Sequence, residues 1–175
     1  MNRTRVVSSG QDRVMAAAVE LGIEIDVRAF PAGTKTADDA AAAIGCDVSQ
    51  IVKSLVFVVD QEPVVVLIGG ADRLDEGRLA AVAEGVTVRR ATPDEVRHHT
   101  GFPVGGVPPI GHATQLRCFL DDALLSQPVV WAAAGTPTHV LAASPDSLAE
   151  AAGARIATMR QSRDHQRAVG HRQRS

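Results

Sequence analysis

Two periodicities alternate along the chain. From Gln11 to Leu21, Val14, Ala17, Ala18 and Leu21 recur at helical spacing, with Ser9 placed as a cap and Gly22 as a stop. Ile23 to Phe30 changes to alternation, with Ile23, Ile25, Val27 and Ala29 on one face, which predicts a strand. After a turn at Pro31-Ala-Gly33, Thr36 can cap a second helix carrying Asp38 and Asp39 in its first turn and ending at Gly45. Ile51 to Val59 and Pro63 to Ile68 are strongly β, and the short Asp60-Gln61-Glu62 link predicts an antiparallel hairpin. Asp75 to Ala83 reads as a helix closed by Gly85, followed by a short strand from Val86 to Arg89. Thr92-Pro93-Asp94-Glu95 combines a cap, a first-position proline and a third-position glutamate, so a helix starts there and runs to His99.

The next twelve residues, Gly101 to His112, break both periods, with four glycines and three prolines. Prolines lack a donor and glycines are costly to order, so this is neither helix nor inner strand. Phe102, Val104, Val107 and Ile110 argue equally against a solvated linker. A stiff loop with bare backbone suits close approach to a ligand, although an ordered structural crossover satisfies the same pattern. Beyond it, Leu116 to Leu120, Val129 to Ala132 and His139 to Ala142 are strand candidates. Ser144-Pro145 opens a last helix to Ala152, and Ala154 to Thr158 is a candidate final strand. Helices and strands mingle without a regular βαβ period or an internal repeat. The expected fold class is α+β (mixed α/β), one domain with a mixed or antiparallel sheet curled toward a barrel and flanked by helices.

Composition narrows the picture. At 175 residues the chain is expected to be one domain, with a core built from aliphatic side chains, because aromatics make up 3% and tyrosine is absent. No apolar run reaches the roughly 18 residues of a membrane span, and the N-terminus lacks the apolar stretch of a signal peptide. Cys46 and Cys118 stand alone, so buried thiols in a reducing, cytoplasmic setting are expected rather than a disulfide framework. The net charge of −2 is unevenly spread: residues 160–175 carry five arginines against one aspartate, and residues 1–159 carry 13 basic against 19 acidic groups. This divides the chain into an acidic domain over 1–159 and a basic tail, expected to be disordered, over 160–175. An acidic body is a poor generic nucleic-acid binder.

Lys53 is the most informative single residue. The chain has sixteen arginines and two lysines, and Lys53 lies inside a β segment on the face shared by Leu55, Phe57 and Val59. Buried there, an ammonium needs a partner or an anionic ligand, whereas at a strand end it can reach water. His98, His99 and His112 flank the loop, but adjacent histidines on a helix point apart, which disfavours a metal site. No G-x-S-x-G surrounds a serine, and neither GxGxxG nor GxxxxGK[ST] occurs. Spacing alone therefore yields a pocket candidate without a reaction.

Thr100-Gly-Phe-Pro-Val-Gly-Gly-Val-Pro-Pro-Ile-Gly111, with Val52-Lys-Ser-Leu55 upstream, resembles the YbaK/EbsC family, free-standing relatives of the editing domain inserted in bacterial prolyl-tRNA synthetases. The resemblance spans Gln11 to Thr158 and leaves out the basic tail. It implies a single YbaK-like domain with a mixed, partly barrel-like sheet. It implies hydrolysis of the ester joining a mischarged small amino acid to the 3′ end of tRNA, with no metal and no cofactor. By the same resemblance Lys53, Gly105 and Gly106 are the expected catalytic positions. Gly101, Phe102, Val107, Pro108, Gly135 and His139 are the expected substrate-binding positions.

That chemistry suits the residues present. An aminoacyl ester is already activated, so a positioned water and a donor for the developing oxyanion can suffice without a protein nucleophile. A stiff loop also excludes long side chains by lack of room. Cysteinyl-tRNA(Pro) deacylases of the family carry a charged, Asp-containing stretch where this chain reads Thr138 to Ser144 without a charge, so cysteine, alanine or another small residue stays open. The expected partners are the tRNA acceptor end and a prolyl-tRNA synthetase or elongation factor that presents it, with no membrane. The competing readings are a non-catalytic module binding tRNA ends, a synthetase or a nucleotide, and, ranked last, a metal-dependent hydrolase using the histidines.

Overall fold

A computed structural model describes residues 9–30 and 36–162. Its elements are α1 (Gly10–Leu21), β1 (Asp26–Ala29), α2 (Ala37–Ile44), β2 (Ile51–Val59), β3 (Glu62–Gly69), α3 (Glu76–Ala83), β4 (Val88–Arg90), α4 (Pro93–Thr100), β5 (Arg117–Asp121), β6 (Val130–Ala133), β7 (His139–Ala143), α5 (Pro145–Ala151) and β8 (Arg155–Ala157). The fold is the expected mixed α/β arrangement. Helix starts follow local chemistry: Ser9, Thr36 and Thr92 each accept from the third residue of their helix, whose carboxylate returns the bond. Gly22, Gly45 and Gly101 close α1, α2 and α4 in the left-handed conformation. Glu84, not Gly85, is the left-handed residue that ends α3.

The β2–β3 hairpin is antiparallel as expected, and tighter than the sequence suggested, because β3 already begins at Glu62. Its two turn residues, Asp60 and Gln61, both have positive φ, the geometry that matches strand twist in a two-residue loop. The Asp60 carboxylate accepts from the N–H groups of Val86 and Thr87, fixing the entry to β4. Val86 itself is exposed outside the strand, so β4 starts two residues later than its hydrophobicity predicts. β1 is likewise shorter than the alternation from Ile23, covering four residues at the sheet edge.

Around this hairpin the eight strands run β1-β7-β6-β2-β3-β5-β8, with β4 as a second neighbour of β2. One edge of β2 is fully taken by β3. The other is divided: β6 pairs parallel at Ile51 and Val52, and β4 pairs antiparallel from Phe57 to Val59. Between them the edge of β2 is open.

Alternation along the central strands sorts side chains to two faces. Val52, Val56, Val58, Val65 and Leu67 join Val14, Val96, Phe102, Val107 and Ile110 beneath α1, α4 and the glycine–proline loop. Phe57, Val59, Val64 and Val66 face Leu79 and Ala83 of α3. A third group joins Ala41 of α2 to Ile51 and Trp131. Cys118 is buried in the first group, and burial pushes its thiol up to about 12, which leaves it un-ionised and inert. Among the described residues no helix is long and apolar enough to cross a membrane.

The chain past β8 is held by one buried carboxylate. Asp121 is fully buried and accepts from the N–H groups of Met159 and Arg160 and from the Arg160 guanidinium at 2.8 Å. Arg160, the first residue of the expected tail, is therefore part of the folded unit; 163–175 lie outside the described residues. Asp121→Ala strands these donors, and the expected loss is roughly 3 kcal/mol. Thermal unfolding should show the midpoint falling by about 6–12 °C; a fall under about 2 °C would mean that water replaces the carboxylate without cost.

Candidate active site

A cavity of about 800 Å³ opens at the divided edge of β2. Its floor is Ile51–Val56, one wall is Trp131, Ala132, Ala133, His139 and Val140, and the other is Arg90, Ala91, Pro93 and Val96. Val104, Gly105 and Val107 of the loop overhang it, and Thr36, Ala37 and Ala40 of α2 close one end. Because both faces of β2 contribute to the lining, the cavity wraps around the strand rather than lying on one side of the sheet. The Val56 carbonyl accepts from Ala91 N–H on this edge. Two residues earlier, Ser54 turns its own N–H and C=O the same way, into the opening.

Lys53 is half-buried and donates to the Asp72 carbonyl. Burial is the main influence on its ammonium and lowers its pKa from the usual lysine value; the Asp72 carboxylate opposes this, and Arg73 and Arg90 add to it. Beside it, Ser54 Oγ is the buried side-chain polar atom left without a hydrogen-bond partner among the described residues. A buried, unpartnered hydroxyl costs on the order of 1–3 kcal/mol, and a ligand entering the cavity can remove that cost. His139 begins β7 on the facing wall, its Nδ1 held 2.6 Å from the Thr136 hydroxyl, so Nε2 is the ring nitrogen available to a ligand.

The loop glycines divide by function. Pro103 to Gly106 is a tight turn closed by Gly106 N–H donating to the Pro103 carbonyl at 2.9 Å. Gly105 occupies its third position at φ +84 with open space where a Cβ would stand. Its N–H has no partner among the described residues, and it lines the cavity. Gly106 does not line the cavity: a Cβ there would stand 3.1 Å from the Thr136 backbone, and its N–H is already engaged. The direct catalytic part expected for Gly106 is thus replaced by packing.

The expected substrate-binding residues separate in the same way. Val107 lines the cavity, and so does His139. Gly101 caps α4 at φ +78 and gives its carbonyl to Arg13 at 2.9 Å. Phe102 is fully buried beneath the Arg13 guanidinium, 4.3 Å from the ring centroid, and is core rather than contact surface. Pro108 is buried and accepts from His112 Nε2 at 2.6 Å. Gly135, at φ +93, presses against the Gly10 backbone, where a Cβ would come within 2.5 Å. Gly101, Phe102, Pro108 and Gly135 therefore shape the site from behind. Sequence reasoning missed Ser54, Arg90, Val104 and Trp131; the only signal was the adjacency of Ser54 to Lys53. His98 and His99 lie edge-on with ring centroids 5.0 Å apart. Among the described residues no group of three or more His, Cys, Asp or Glu is placed to hold a metal ion.

The family model of the aminoacyl-tRNA editing domain matches residues 31–151. YwhH of Bacillus subtilis (strain 168), an uncharacterized protein, is 31% identical over 127 residues, which cover 73% of this chain and 81% of that protein. The proline–tRNA ligase of Nitratidesulfovibrio vulgaris (strain DP4) is 36% identical over 92 residues. That match covers 53% of this chain but only 16% of the ligase, so one segment of the ligase is shared. A crystal structure of a candidate trans-editing enzyme for prolyl-tRNA synthetase superposes with a TM-score of 0.84 at 44% identity, covering 89% of this chain and 99% of that one.

The two kinds of glycine give different expected outcomes. Gly105→Ala meets no atom and carries only the left-handed penalty of about 1–2 kcal/mol, whereas Gly135→Ala must also displace the Gly10 backbone. Thermal unfolding should rank Gly135→Ala well below Gly105→Ala; equal midpoints would contradict the contact. A pH effect comes from His112, whose burial holds its pKa below the ordinary 6.5. The unfolded chain then binds a proton that the folded chain refuses, so the contribution is full above 6.5 and is lost as pH falls through the folded value. Lowering the pH from about 7.5 to about 5 should reduce the unfolding midpoint, and His112→Gln should flatten that slope; an unchanged slope would show that another group carries it.

Proposed function

The chain belongs to the aminoacyl-tRNA editing domain family, and on that footing we propose that it is a free-standing aminoacyl-tRNA deacylase. Its substrate is a small amino acid, alanine or cysteine, wrongly esterified to tRNA(Pro). The observation that carries this reading is the convergence of Lys53, the unpartnered Ser54 hydroxyl and the free Gly105 N–H on one cavity with apolar walls. Its volume of about 800 Å³ is far larger than an alanyl or cysteinyl group needs, and it leaves room for the terminal adenosine as well.

In this reading Lys53 holds the ribose–phosphate end of the terminal nucleotide, and His139 Nε2 and Ser54 orient the ester. Gly105 N–H faces the carbonyl oxygen, where negative charge develops. Water adds to the carbonyl carbon, the bond to the ribose oxygen breaks, and that oxygen leaves with a proton, giving free amino acid and tRNA. No protein nucleophile is needed, because a good ester positioned against a donor and a water reacts without one. Val104, Val107 and Trp131 narrow the space for the amino-acid side chain, so selection works by exclusion and long side chains are refused.

The test is deacylation of tRNAs charged with Ala, Cys, Ser or Pro. Wild type should release Ala or Cys from tRNA(Pro), and EDTA should leave the rate unchanged. Lys53→Ala should lower kcat/KM by roughly 10²–10³ and Ser54→Ala by roughly 10-fold. Binding of charged tRNA without any release would move the assignment to a non-catalytic tRNA-end module.

A further inference from the structure

Seven of the ten described arginines are engaged. Arg28 pairs with Asp26, Arg78 with Asp75, Arg89 with Glu95, and Arg160 with Asp121 and Asp122. Arg13, Arg117 and Arg155 donate to carbonyls. Among the described residues, Arg73, Arg90 and Arg97 engage neither a carboxylate nor a carbonyl. Arg97 sits in the last turn of α4, where the negative helix end accounts for it. Of the other two, Arg90 lines the cavity, and Arg73 is exposed next to Asp72, whose carbonyl receives Lys53.

Their placement is fixed by the strands. Arg90 lines the cavity and lies 5.7 Å from the centroid of the Phe57 ring, its register partner on β2. Phe57 and Lys53 share one face of β2, so ammonium and guanidinium come to the same side. Arg73 follows the residue whose carbonyl receives Lys53, and its own carbonyl accepts from Gln161 N–H at 2.7 Å, which holds the backbone while the side chain stays exposed. The charges are close enough for both arginines to depress the Lys53 ammonium. The nearby carboxylate, Asp72, makes no ion pair with any of the three among the described residues, which leaves a net positive mouth on an acidic domain. One carboxylate against three cations leaves a net positive group, whose mutual repulsion a further anion would relieve. Stacking on Phe57 also leaves the guanidinium fork of Arg90 free for a phosphate.

We propose that Arg73 and Arg90, with Lys53, form a cationic rim that receives backbone phosphates of a single-stranded RNA 3′ end. The rim feeds the terminal nucleoside into the cavity. It rests on the reading of the site as an RNA-end hydrolase and adds the contact surface that this reading lacks. The rim acts on binding and leaves the chemical step alone.

The experiment compares wild type, Arg73→Gln, Arg90→Gln and, as a control, the ion-paired Arg78→Gln. KM and kcat for alanyl-tRNA(Pro) are measured between about 50 and 200 mM salt. Each rim variant should raise KM several-fold at the higher salt, leave kcat unchanged and reduce the slope of log KM against log salt by about 0.7. Arg78→Gln should behave as wild type. With the phosphate-free alanyl ester of adenosine, Arg73→Gln, at a residue outside the cavity lining, should be indistinguishable from wild type. Unchanged slopes in both rim variants, or an equal loss by Arg73→Gln on the phosphate-free ester, would overturn the rim while leaving the hydrolase reading in place. Should wild type cleave neither ester, the hydrolase reading falls. The rim is then judged from binding of uncharged tRNA, read by the fluorescence of Trp131, the sole tryptophan, with the same slope criterion.

Discussion

One strand edge cannot serve two neighbours along its whole length. β2 shares its outer edge between β6, parallel at Ile51–Val52, and β4, antiparallel from Phe57 onward, and the two diverge in direction and leave the edge open between them. Backbone groups on an open interior edge must find partners or meet solvent. Here they meet a cavity. The site follows from this division: Lys53 and Ser54 occupy the unpaired stretch, β6 and β7 supply one wall, the entry to α4 supplies the other, and the glycine–proline loop spans the top. With β2 fully paired, a neighbour would take up the Ser54 N–H and C=O and close the cavity at this edge.

Behind the loop stands α1, whose packing depends on small residues. Gly10 meets Gly135, Ala17 meets Gly111, and Arg13 grips the Gly101 carbonyl while covering Phe102. The glycine–proline loop and the turn at Gly135 are therefore clamped to one helix, and the rigid part of the site lies in its backbone. This accounts for a loop rich in glycine that still buries Phe102, Val107 and Ile110. Preorganised N–H donors are worth most when they do not have to move to meet the developing charge.

The fold was largely legible because its signals are local. Thr92-Pro93-Asp94-Glu95 carries its cap, its first turn and its reciprocal bond within four residues, and the Arg89 guanidinium and the Thr92 N–H then hold the Glu95 carboxyl down to about 2. Boundaries failed where a distant group intervened: Asp60 takes the Val86 and Thr87 N–H groups and delays β4, and Asp121 reaches across to hold Arg160. The site was only half legible for the same reason. Lys53 stood out as a charge in a β segment, but Gly105, Gly106 and Gly135 are alike in sequence. Chain contacts alone distinguish a glycine chosen for positive φ at a free N–H from one chosen to let two backbones touch. Trp131 and Arg90 enter the cavity through strand order, which no local pattern encodes.

Charge gave the sequence reading its sharpest conflict, because an acidic domain is expected to repel RNA. The arrangement of the arginines resolves it without changing the net charge. Four of the ten described arginines, Arg28, Arg78, Arg89 and Arg160, are neutralised where they stand by Asp26, Asp75, Glu95, Asp121 and Asp122, so their positive potential is spent locally and screened within about 8–10 Å. What survives at range is the acidic background, which discourages RNA from settling over the surface at large. Lys53 and Arg90, which make no salt bridge among the described residues, line the cavity, and there the local field opposes the background. A hydrolase acting on one bond at a chain end gains from this division, since binding energy spent on the body of an RNA adds nothing to cleavage at its terminus. On the proposed reading, the same low overall attraction makes presentation of the acceptor end by another protein useful and leaves discrimination to the cavity and the proposed rim.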